Sequence, residues 1–491
     1  MDKNKERILH MTAISIAKSI KEGEITCLEV LTIFINNIKR LNPKINALAY
    51  DCFDEAINIA EQYDIRYIEK KKKKNLDDLP IFFGVPIIIK ECFELKDRPF
   101  TFGLSINKNN TGNKTCNVCK QLVSNGIIII GAGNLAEGCY WIETNNPIYG
   151  LTSNPYNVLR SAGGSSGGNA SLIAISGAPL GLASDSGGSI RLPAFYNGIF
   201  GHKPTGGLIP SFSNTIYNEE YQEGDYYYSQ AGPMTKYACD LWPLLKTMLN
   251  PNRKVIDKLI EPKSLTYKNL KVIDISDSFE LLYTINPDIK ESISNLKKFF
   301  ISKGAIVENK SYSDLEAAFF IWTKAIEIDG TLDLFIKNNR NSSFRQNISQ
   351  LLMGEASFTT LGVNLLSYFK EDSKTSPETI KTVRELKEKI KRKLLNDLHS
   401  NEYTILLCPT FVTTAPFHGK SYKYILEVGM LGIFNILGFP VTQIPLGLNN
   451  EKMPLGAQLI GLPFNDKLTI KIAELLEKDK YSKWIPPPML L

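Results

Sequence analysis

The sequence predicts an α/β protein in which apolar strands alternate with amphipathic helices. Helical apolar spacing dominates residues 12–41, and short apolar runs follow at 81–89 and 126–130. Strand-like runs return at 403–408 and 441–446, so predicted strands occur in both halves of the chain. With 491 residues, 43% of them hydrophobic, the chain is long enough to bury a large core.

Two helices are predicted near the start of the chain. Residues 12–22 have helical apolar spacing and stop at Gly23, a residue type that commonly follows a helix. Thr26 has the character of an N-cap and begins a second apolar pattern. We expect the pair Asn42-Pro43 to end that second helix.

Strands and helices are predicted further along as well. The runs 81–89 and 126–130 are short, apolar and flanked by glycine, which is typical of buried strands. Residues 250–400 are more charged and are predicted to form a helical excursion. Within it, Ser376-Pro377 begins a helix whose apolar positions form one stripe.

Charge and hydropathy exclude two classes of partner. The net charge of +6 comes partly from the lysine run 70–74, which is predicted to be a solvated loop. Since no basic surface with interleaved aromatic residues accompanies it, no nucleic-acid partner is predicted. We expect no membrane span, because no apolar stretch reaches the ~20 residues that a span needs.

The cysteine and histidine content argues against a metal or a disulfide framework. The eight cysteines are scattered, and no signal peptide is expected at the start, so free thiols and a cytoplasmic location are predicted. Cys116 and Cys119 form the one close pair and are predicted to be ordinary thiols. With four histidines in the whole sequence, no metal site is expected.

Two short motifs match known signatures only in part. Residues 131–136 read GAGNLA after an apolar run, as a dinucleotide fingerprint does, but no acidic residue lies about 20 positions on to hold a ribose. Residues 163–167 read GGSSG, the pattern of a nucleophile elbow, but no strand is predicted directly before them. We therefore predict no cofactor and no Ser/His/Asp triad.

The most informative stretch is 160–207, which reads RSAGGSSGGNASLIAISGAPLGLASDSGGSIRLPAFYNGIFGHKPTGG. It contains two glycine-flanked serines, Ser165 and Ser189. Ordinary turns explain the glycines but not two small hydroxyls at the points where apolar segments begin. From these residues alone, a structural and a catalytic interpretation both stay open.

This stretch resembles the amidase signature family through GGSSGG at 163–168 and DSGGSIRLPA at 185–194. The family also has an upstream lysine in a GVPI-type strand, and GVPIIIK at 84–90 matches it. The likeness continues as far as 454–460. It implies an amidase signature fold, a large twisted mixed β-sheet with helices on both faces, formed by one amidase domain over 1–491.

The resemblance implies a Ser/Ser/Lys triad. In that arrangement Ser189 is the nucleophile, Ser165 relays a proton, Lys90 is the base, and the reaction passes through an acyl-enzyme. The resemblance also implies a cis peptide bond before Ser165. Ala162 departs from the family, which often has proline there, but the difference removes no reactive atom.

Further residues of the site are implied in the same way. Asp185 and Arg191 are expected to fix the loop that carries the nucleophile. An oxyanion hole would be formed by the backbone N–H groups of Ser186, Gly187, Gly188 and Ser189. Loss of one such donor typically lowers a rate by about 10²–10³.

The motifs at 197–205, 232–234 and 438–447 are similar to those of fatty acid amide hydrolase 2-like amidases. This likeness implies a small-molecule substrate, a fatty acid amide or another apolar acyl amide, with Cys139 and Tyr140 bordering the acyl pocket. The apolar segment 346–369 is either a cap that touches lipid or a pair of buried helices. Peripheral contact with a membrane and a homodimer are left open.

Two alternative functions are compatible with the family. The chain could be the glutaminase (A) component of a glutamyl-tRNA(Gln) amidotransferase, which has the same triad and releases ammonia for a partner protein. It could also be a binding protein that keeps the fold and has lost catalysis. Retention of Lys90, Ser165, Ser189 and the pair Gly187-Gly188 argues against the second alternative.

Overall fold

The computed structural model describes residues 3–209, 228–251, 254–279, 284–328 and 375–490. The helices in these parts are α1 (Lys3–Leu9), α2 (Ala13–Glu22), α3 (Cys27–Ile45), α4 (Phe53–Lys72), α5 (Asn117–Ser124), α6 (Gly167–Ala174), α7 (Arg191–Tyr196), α8 (Leu241–Met248), α9 (Pro287–Ser302), α10 (Ala318–Ile328), α11 (Pro377–Leu398), α12 (Gly429–Ile436) and α13 (Asp466–Lys478).

The strands are β1 (Leu48–Asp51), β2 (Pro86–Lys90), β3 (Ile128–Gly133), β4 (Asn145–Asn146), β5 (Gly150–Leu151), β6 (Ser153–Asn154), β7 (Asn157–Ser161), β8 (Leu180–Asp185), β9 (Phe200–Lys203), β10 (Gln230–Thr235), β11 (Leu270–Asp274), β12 (Ile306–Asn309), β13 (Tyr403–Pro409), β14 (Val441–Leu448) and β15 (Pro454–Ile460). In the described parts of the chain, eleven of them form one sheet in the order β1-β3-β2-β8-β10-β9-β14-β15-β13-β11-β12. The strands β4 with β5 and β6 with β7 form two small ribbons.

Strand directions make the large sheet a mixed one. β2 runs parallel to β3 and β8, and β11 runs parallel to β12 and β13. The other neighbours in the sheet are antiparallel. Every residue of β2, β8 and β15 is buried. Because successive side chains of a strand point to opposite faces, both faces of the sheet are covered. The predicted α/β fold is confirmed.

The predicted helix starts agree with the structure. Thr12 precedes α2 and accepts a hydrogen bond from the Ser15 amide at 3.0 Å, and Gly23 follows the helix with a φ of 77°. Ser376 precedes α11 and accepts from the Thr379 amide at 3.1 Å. These side chains satisfy N–H groups that have no partner inside the helix, which is why such residues mark helix starts.

Two helix ends differ from prediction. α3 continues through Pro43 and ends at Ile45, and the capping residue Asn46 has a φ of 47° and an N–H that donates to the Asn42 carbonyl. Pro43 lies in the last turn, where its missing N–H removes only one hydrogen bond. In the lysine run 70–74, Lys70 is half-buried and the other four are exposed, but 70–72 continue α4 instead of forming a loop. Lysines in the last turn favour a helix, because its carboxyl end carries partial negative charge.

The predicted strands at 81–89 and 126–130 correspond to β2 and β3, each displaced toward the carboxyl side. The motif at 131–136 begins inside β3, and a short 3-10 turn, Glu137–Cys139, follows it. Within 250–400 the structure has β11 and β12 as well as helices. These strands are five and four residues long, too short for their periodicity to stand out among charged residues.

Two further expectations concern thiols and membranes. Cys116 and Cys119 are both buried free thiols. The apolar segment 346–369 lies outside the described residues, so its two interpretations stay predictions. Within the part of the chain that the structure describes, no helix is both long and apolar enough to cross a membrane.

Candidate active site

The topology of the sheet brings the predicted triad residues to one edge. Lys90 is the last residue of β2, and Ser189 follows β8 by four positions. β2 and β8 are parallel neighbours, so their carboxyl ends lie side by side. Ser165 lies just before α6, a helix that packs against both strands. In α/β sheets the carboxyl edge is where ligands commonly bind.

Lys90 is fully buried and is bonded to two serine hydroxyls. Its Nζ lies 2.6 Å from Ser165 Oγ and 2.9 Å from Ser184 Oγ. Ser184 was not predicted as a site residue. No sequence signal distinguishes it, since it is one more small residue in the buried strand β8, but β8 is the neighbour of β2 and so directs Ser184 toward Lys90.

The loop that carries Ser165 is tightly enclosed. The peptide bond between Gly164 and Ser165 is cis, as the resemblance implies. A Cβ at Gly164 would lie 2.2 Å from the Trp141 carbonyl oxygen, so no larger residue fits there without a backbone shift. Thr144, also missed by the sequence analysis, bonds the loop through its hydroxyl, which donates to the Gly163 carbonyl at 2.8 Å and accepts from the Gly167 amide at 2.9 Å.

Ser189 lies in the turn between β8 and α7 and is half-buried. Asp185 fixes this turn by accepting hydrogen bonds from the amides of Gly188 at 2.8 Å and Ile190 at 3.1 Å. Gly188 has a φ of 108°, which disfavours any other residue. Among the described residues, Ser189 Oγ has no hydrogen-bond partner. The structure thus brings Lys90 and Ser165 together, and a contact of Ser165 with Ser189 stays a prediction.

Asp185 and Arg191 form a fully buried ion pair. The guanidinium donates to both carboxylate oxygens at 3.0 Å. It also donates to Gln458 Oε1 at 2.7 Å and Asn435 Oδ1 at 2.6 Å. Burial acts to raise the pKa of Asp185, but the charge and hydrogen bonds of Arg191 outweigh it, and the pKa lies below its ordinary value. This geometry supports the predicted loop-fixing role.

The backbone amides of the nucleophile turn are not equivalent. The Gly188 N–H donates to Asp185 Oδ1, so it is already engaged. Within the described residues, the N–H groups of Ser186, Gly187 and Ser189 have no hydrogen-bond acceptor. The predicted oxyanion hole stays a prediction, with three of its four proposed donors free among the described residues and the fourth already engaged. The difference could not be foreseen, because it depends on how the Asp185 side chain folds back over its own turn.

The predicted pocket residues Cys139 and Tyr140 are both half-buried. Cys139 has a φ of 63° in the turn Glu137–Cys139. Burial acts to raise the pKa of Cys139, but the Cys92 thiol and the Lys90 charge lower it more, so the pKa lies below its ordinary value. The influence of Lys90 indicates that Cys139 lies beside the candidate site. A contact of either residue with an acyl chain stays a prediction.

Glu91 is a further residue that the sequence analysis missed. It is fully buried next to Lys90, and its carboxylate accepts from the Thr101 amide at 2.6 Å, the Phe102 amide at 2.9 Å and the Tyr149 hydroxyl at 3.0 Å. Burial raises the pKa of Glu91 to about 8, although its hydrogen-bond donors act to lower it. Glu91 thereby connects the end of β2 to the loop at 101–103.

Known proteins share both the sequence and the fold of this chain. Residues 29–470 match the amidase family. Fatty-acid amide hydrolase 2 of Homo sapiens is 31% identical over 98% of this chain and 91% of its own length. The A component of the glutamyl-tRNA(Gln) amidotransferase of Alkaliphilus metalliredigens is 27% identical over 96% of this chain and 97% of its own. A solved fatty acid amide hydrolase, 20% identical, superimposes with a TM-score of 0.79, covering 99% of this chain and 88% of that one.

The family match and the relatives make this α/β protein an amide hydrolase. The match over most of the chain makes the assignment more specific: the chain belongs to the amidase family.

Proposed function

We propose that this amidase cleaves the amide bond of fatty acid amides or other apolar acyl amides, with Ser189, Ser165 and Lys90 as its triad. The observation that carries the proposal is the position of Lys90. Its Nζ is buried and lies 2.6 Å from Ser165 Oγ, which is within reach for proton transfer.

The proposed reaction has two halves. Ser189 Oγ attacks the substrate carbonyl, its proton passes to Ser165 Oγ, and the Ser165 proton passes to Lys90 Nζ, which acts as the base. Ser165 then returns a proton to the leaving nitrogen as the C–N bond breaks, which leaves an acyl group on Ser189. Water, deprotonated along the same route, releases the carboxylic acid. Backbone N–H groups of the turn at 186–189 stabilise the oxyanion in both halves.

The substrate class rests on the relatives. The human fatty-acid amide hydrolase 2 shares more identity with this chain than the amidotransferase component does. Cys139 and Tyr140, which are both half-buried, would border the acyl group. We further propose that the chain is one amidase domain over 1–491 and cytoplasmic, and we leave peripheral contact with a membrane and a homodimer open.

The test is labelling with a fluorophosphonate probe, followed by intact-mass analysis, peptide mapping and a panel of amide substrates. We expect the wild type to acquire one label on Ser189 and to hydrolyse long-chain acyl amides. Ser189→Ala should lose the label and at least about 10³-fold in kcat. Ser302→Ala, which removes an exposed hydroxyl on α9, is the matched control and should behave as wild type.

The other outcomes identify the alternatives. Turnover restricted to glutamine would contradict the lipid amidase function. It would favour the amidotransferase function, which the name of the 27% identical relative carries. A wild type with neither label nor turnover would leave the non-catalytic binding protein.

A further inference from the structure

Trp322 contacts the turn that carries the candidate oxyanion donors. The indole Nε1–H of Trp322, on α10, donates to the Ser186 carbonyl oxygen at 2.9 Å. The two residues are 136 positions apart in the sequence. Trp322 has no part in the reaction described above, and neither the sequence motifs nor the resemblance singled it out.

Because the peptide bond is planar, the contact at the Ser186 carbonyl also fixes the direction of the Gly187 N–H. In a trans peptide unit, the C=O of one residue and the N–H of the next point in opposite directions. The unit that joins Ser186 to Gly187 has its carbonyl held by Trp322. Its N–H, which has no acceptor among the described residues, must therefore point away from the indole ring.

Packing holds the ring in that position. A Cβ at Gly187 would lie 2.5 Å from Trp322 Cζ2, and a Cβ at Gly432 would lie 2.5 Å from Trp322 Cδ1. The ring is thus enclosed between the turn and α12, with glycine on each side. Because neither glycine has a side chain that could give way, the indole has little freedom to rotate and the hydrogen bond is kept in one geometry.

The neighbouring peptide units of the turn are fixed by other groups. The Asp185 carbonyl accepts from Asn435 Nδ2 at 2.9 Å, and the Gly188 amide donates to the Asp185 carboxylate at 2.8 Å. Three successive peptide units, 185–186, 186–187 and 187–188, are therefore each held by one hydrogen bond to a side chain. Trp322 supplies the partner of the middle unit, which is the one whose N–H belongs to Gly187.

We infer that Trp322 is a positioning residue for the oxyanion hole: by holding the Ser186 carbonyl, it directs the Gly187 N–H at the oxygen that becomes negative in the transition state. The inference rests on the proposed function. A donor that is aligned before the reaction stabilises the transition state more than one that must be oriented during it. Its loss should therefore lower kcat with little change in KM.

The test compares Trp322→Phe, which keeps an aromatic ring but has no N–H, with Trp322→His, which offers an imidazole N–H. For Trp322→Phe we expect kcat on an acyl amide to fall about tenfold, below the about 10²–10³ for a lost donor, with KM within about twofold. The rate of fluorophosphonate labelling should fall in parallel, since the phosphonyl oxygen occupies the same hole. Trp322→His should recover part of both rates.

Trp242→Phe, on α8, is the matched control and should keep wild-type rates, and circular dichroism checks that each variant is folded. If Trp322→Phe is folded and keeps kcat and the labelling rate within about twofold, the inference is wrong while the proposed function stands. An equal loss of kcat in the Phe and His variants, with KM raised, would also overturn it, because the ring would then act through packing. A wild type without label or turnover would overturn both the function and this inference.

Discussion

Glu91 is the residue next to the proposed base, and its surroundings make protein stability depend on pH. It is fully buried, and its four hydrogen-bond donors come from Thr101, Phe102 and Tyr149. Since burial raises its pKa to about 8, the folded protein keeps a proton on Glu91 that the unfolded chain releases. Lys90 and Glu91 thus differ in role although they are neighbours in sequence.

The direction of the pH effect follows from the raised pKa. Stability from this group is fully present below the ordinary value of 4.5 and is lost as the pH rises through about 8. We expect the free energy of unfolding of the wild type to fall between pH 5 and pH 8.5 by on the order of a few kcal/mol more than that of Glu91→Gln. Urea unfolding at both pH values measures the difference.

Glu402→Gln removes an exposed carboxylate from the turn before β13 and is the control for that experiment. It should leave the pH dependence as in the wild type. Equal slopes for Glu91→Gln and the wild type would show that Glu91 does not hold its proton on folding.

At this scale, sequence motifs predict Lys90, Ser165 and Ser189 as the triad but not the side chains around them. Ser184 is 94 positions from Lys90, and Tyr149 is 58 positions from Glu91. Their contacts depend on which strands become neighbours, and no local spacing encodes that. The engaged Gly188 amide was missed for a similar reason, because a turn motif does not specify which N–H groups its own aspartate will take.

Helix α3 shows how one element is held by another. Its first amides donate to the carboxylate of Asp64 on α4, from Cys27 at 2.7 Å and from Leu28 at 3.0 Å. Thr26 accepts from the Glu29 amide at 3.0 Å. The start of α3 is thus capped both by its own N-cap residue, Thr26, and by Asp64 of α4. The negative charge of Asp64 is favourable there because the amino end of a helix carries partial positive charge.

Asp64→Ala should lower the free energy of unfolding by about 1–2 kcal/mol, because two buried or half-buried amides lose their acceptor. Glu61→Ala removes an exposed carboxylate from the same helix and should change stability by less than about 0.5 kcal/mol. Urea unfolding at one pH compares the two variants. Equal effects would mean that Asp64 contributes only its helix propensity.

Element types were predictable where side chains act locally. The cap Thr26, the helix start at Ser376 and the stop at Gly23 each work within one turn of chain, so the sequence alone identifies them. Pro43 was assigned the wrong position because a proline pattern does not tell the last turn of a helix from the residue after it. β11 and β12 were missed because pairing, not periodicity, makes such short segments strands.

For the whole molecule, the order of strands in the sheet joins distant parts of the chain. β14, near the carboxyl end, lies between β9 and β15, and β1 lies at one edge beside β3. The fold class could be predicted from alternating elements. The strand order could not, because it depends on long-range pairing.

This interleaving predicts that the chain unfolds as one unit. We expect far-UV circular dichroism and tryptophan fluorescence to give coincident urea transitions, since Trp141 reports on the first third of the sequence and Trp484 on its last residues. Added substrate analogue should shift both transitions together. Two separated transitions would contradict the proposal of a single domain over 1–491, and single-tryptophan variants would then locate the boundary.

The contact between Trp322 and Ser186 also has a consequence for biosynthesis. A ribosome delivers Lys90, Ser165 and Ser189 early, whereas Trp322 emerges 136 positions after Ser186 and Asn435 emerges 250 positions after Asp185. Every reacting atom is therefore present on the nascent chain long before the groups that align the turn. On the proposed chemistry, the unfinished polypeptide is less active toward amides, and full activity begins only when Trp322 and Asn435 have folded onto the turn at 186–189.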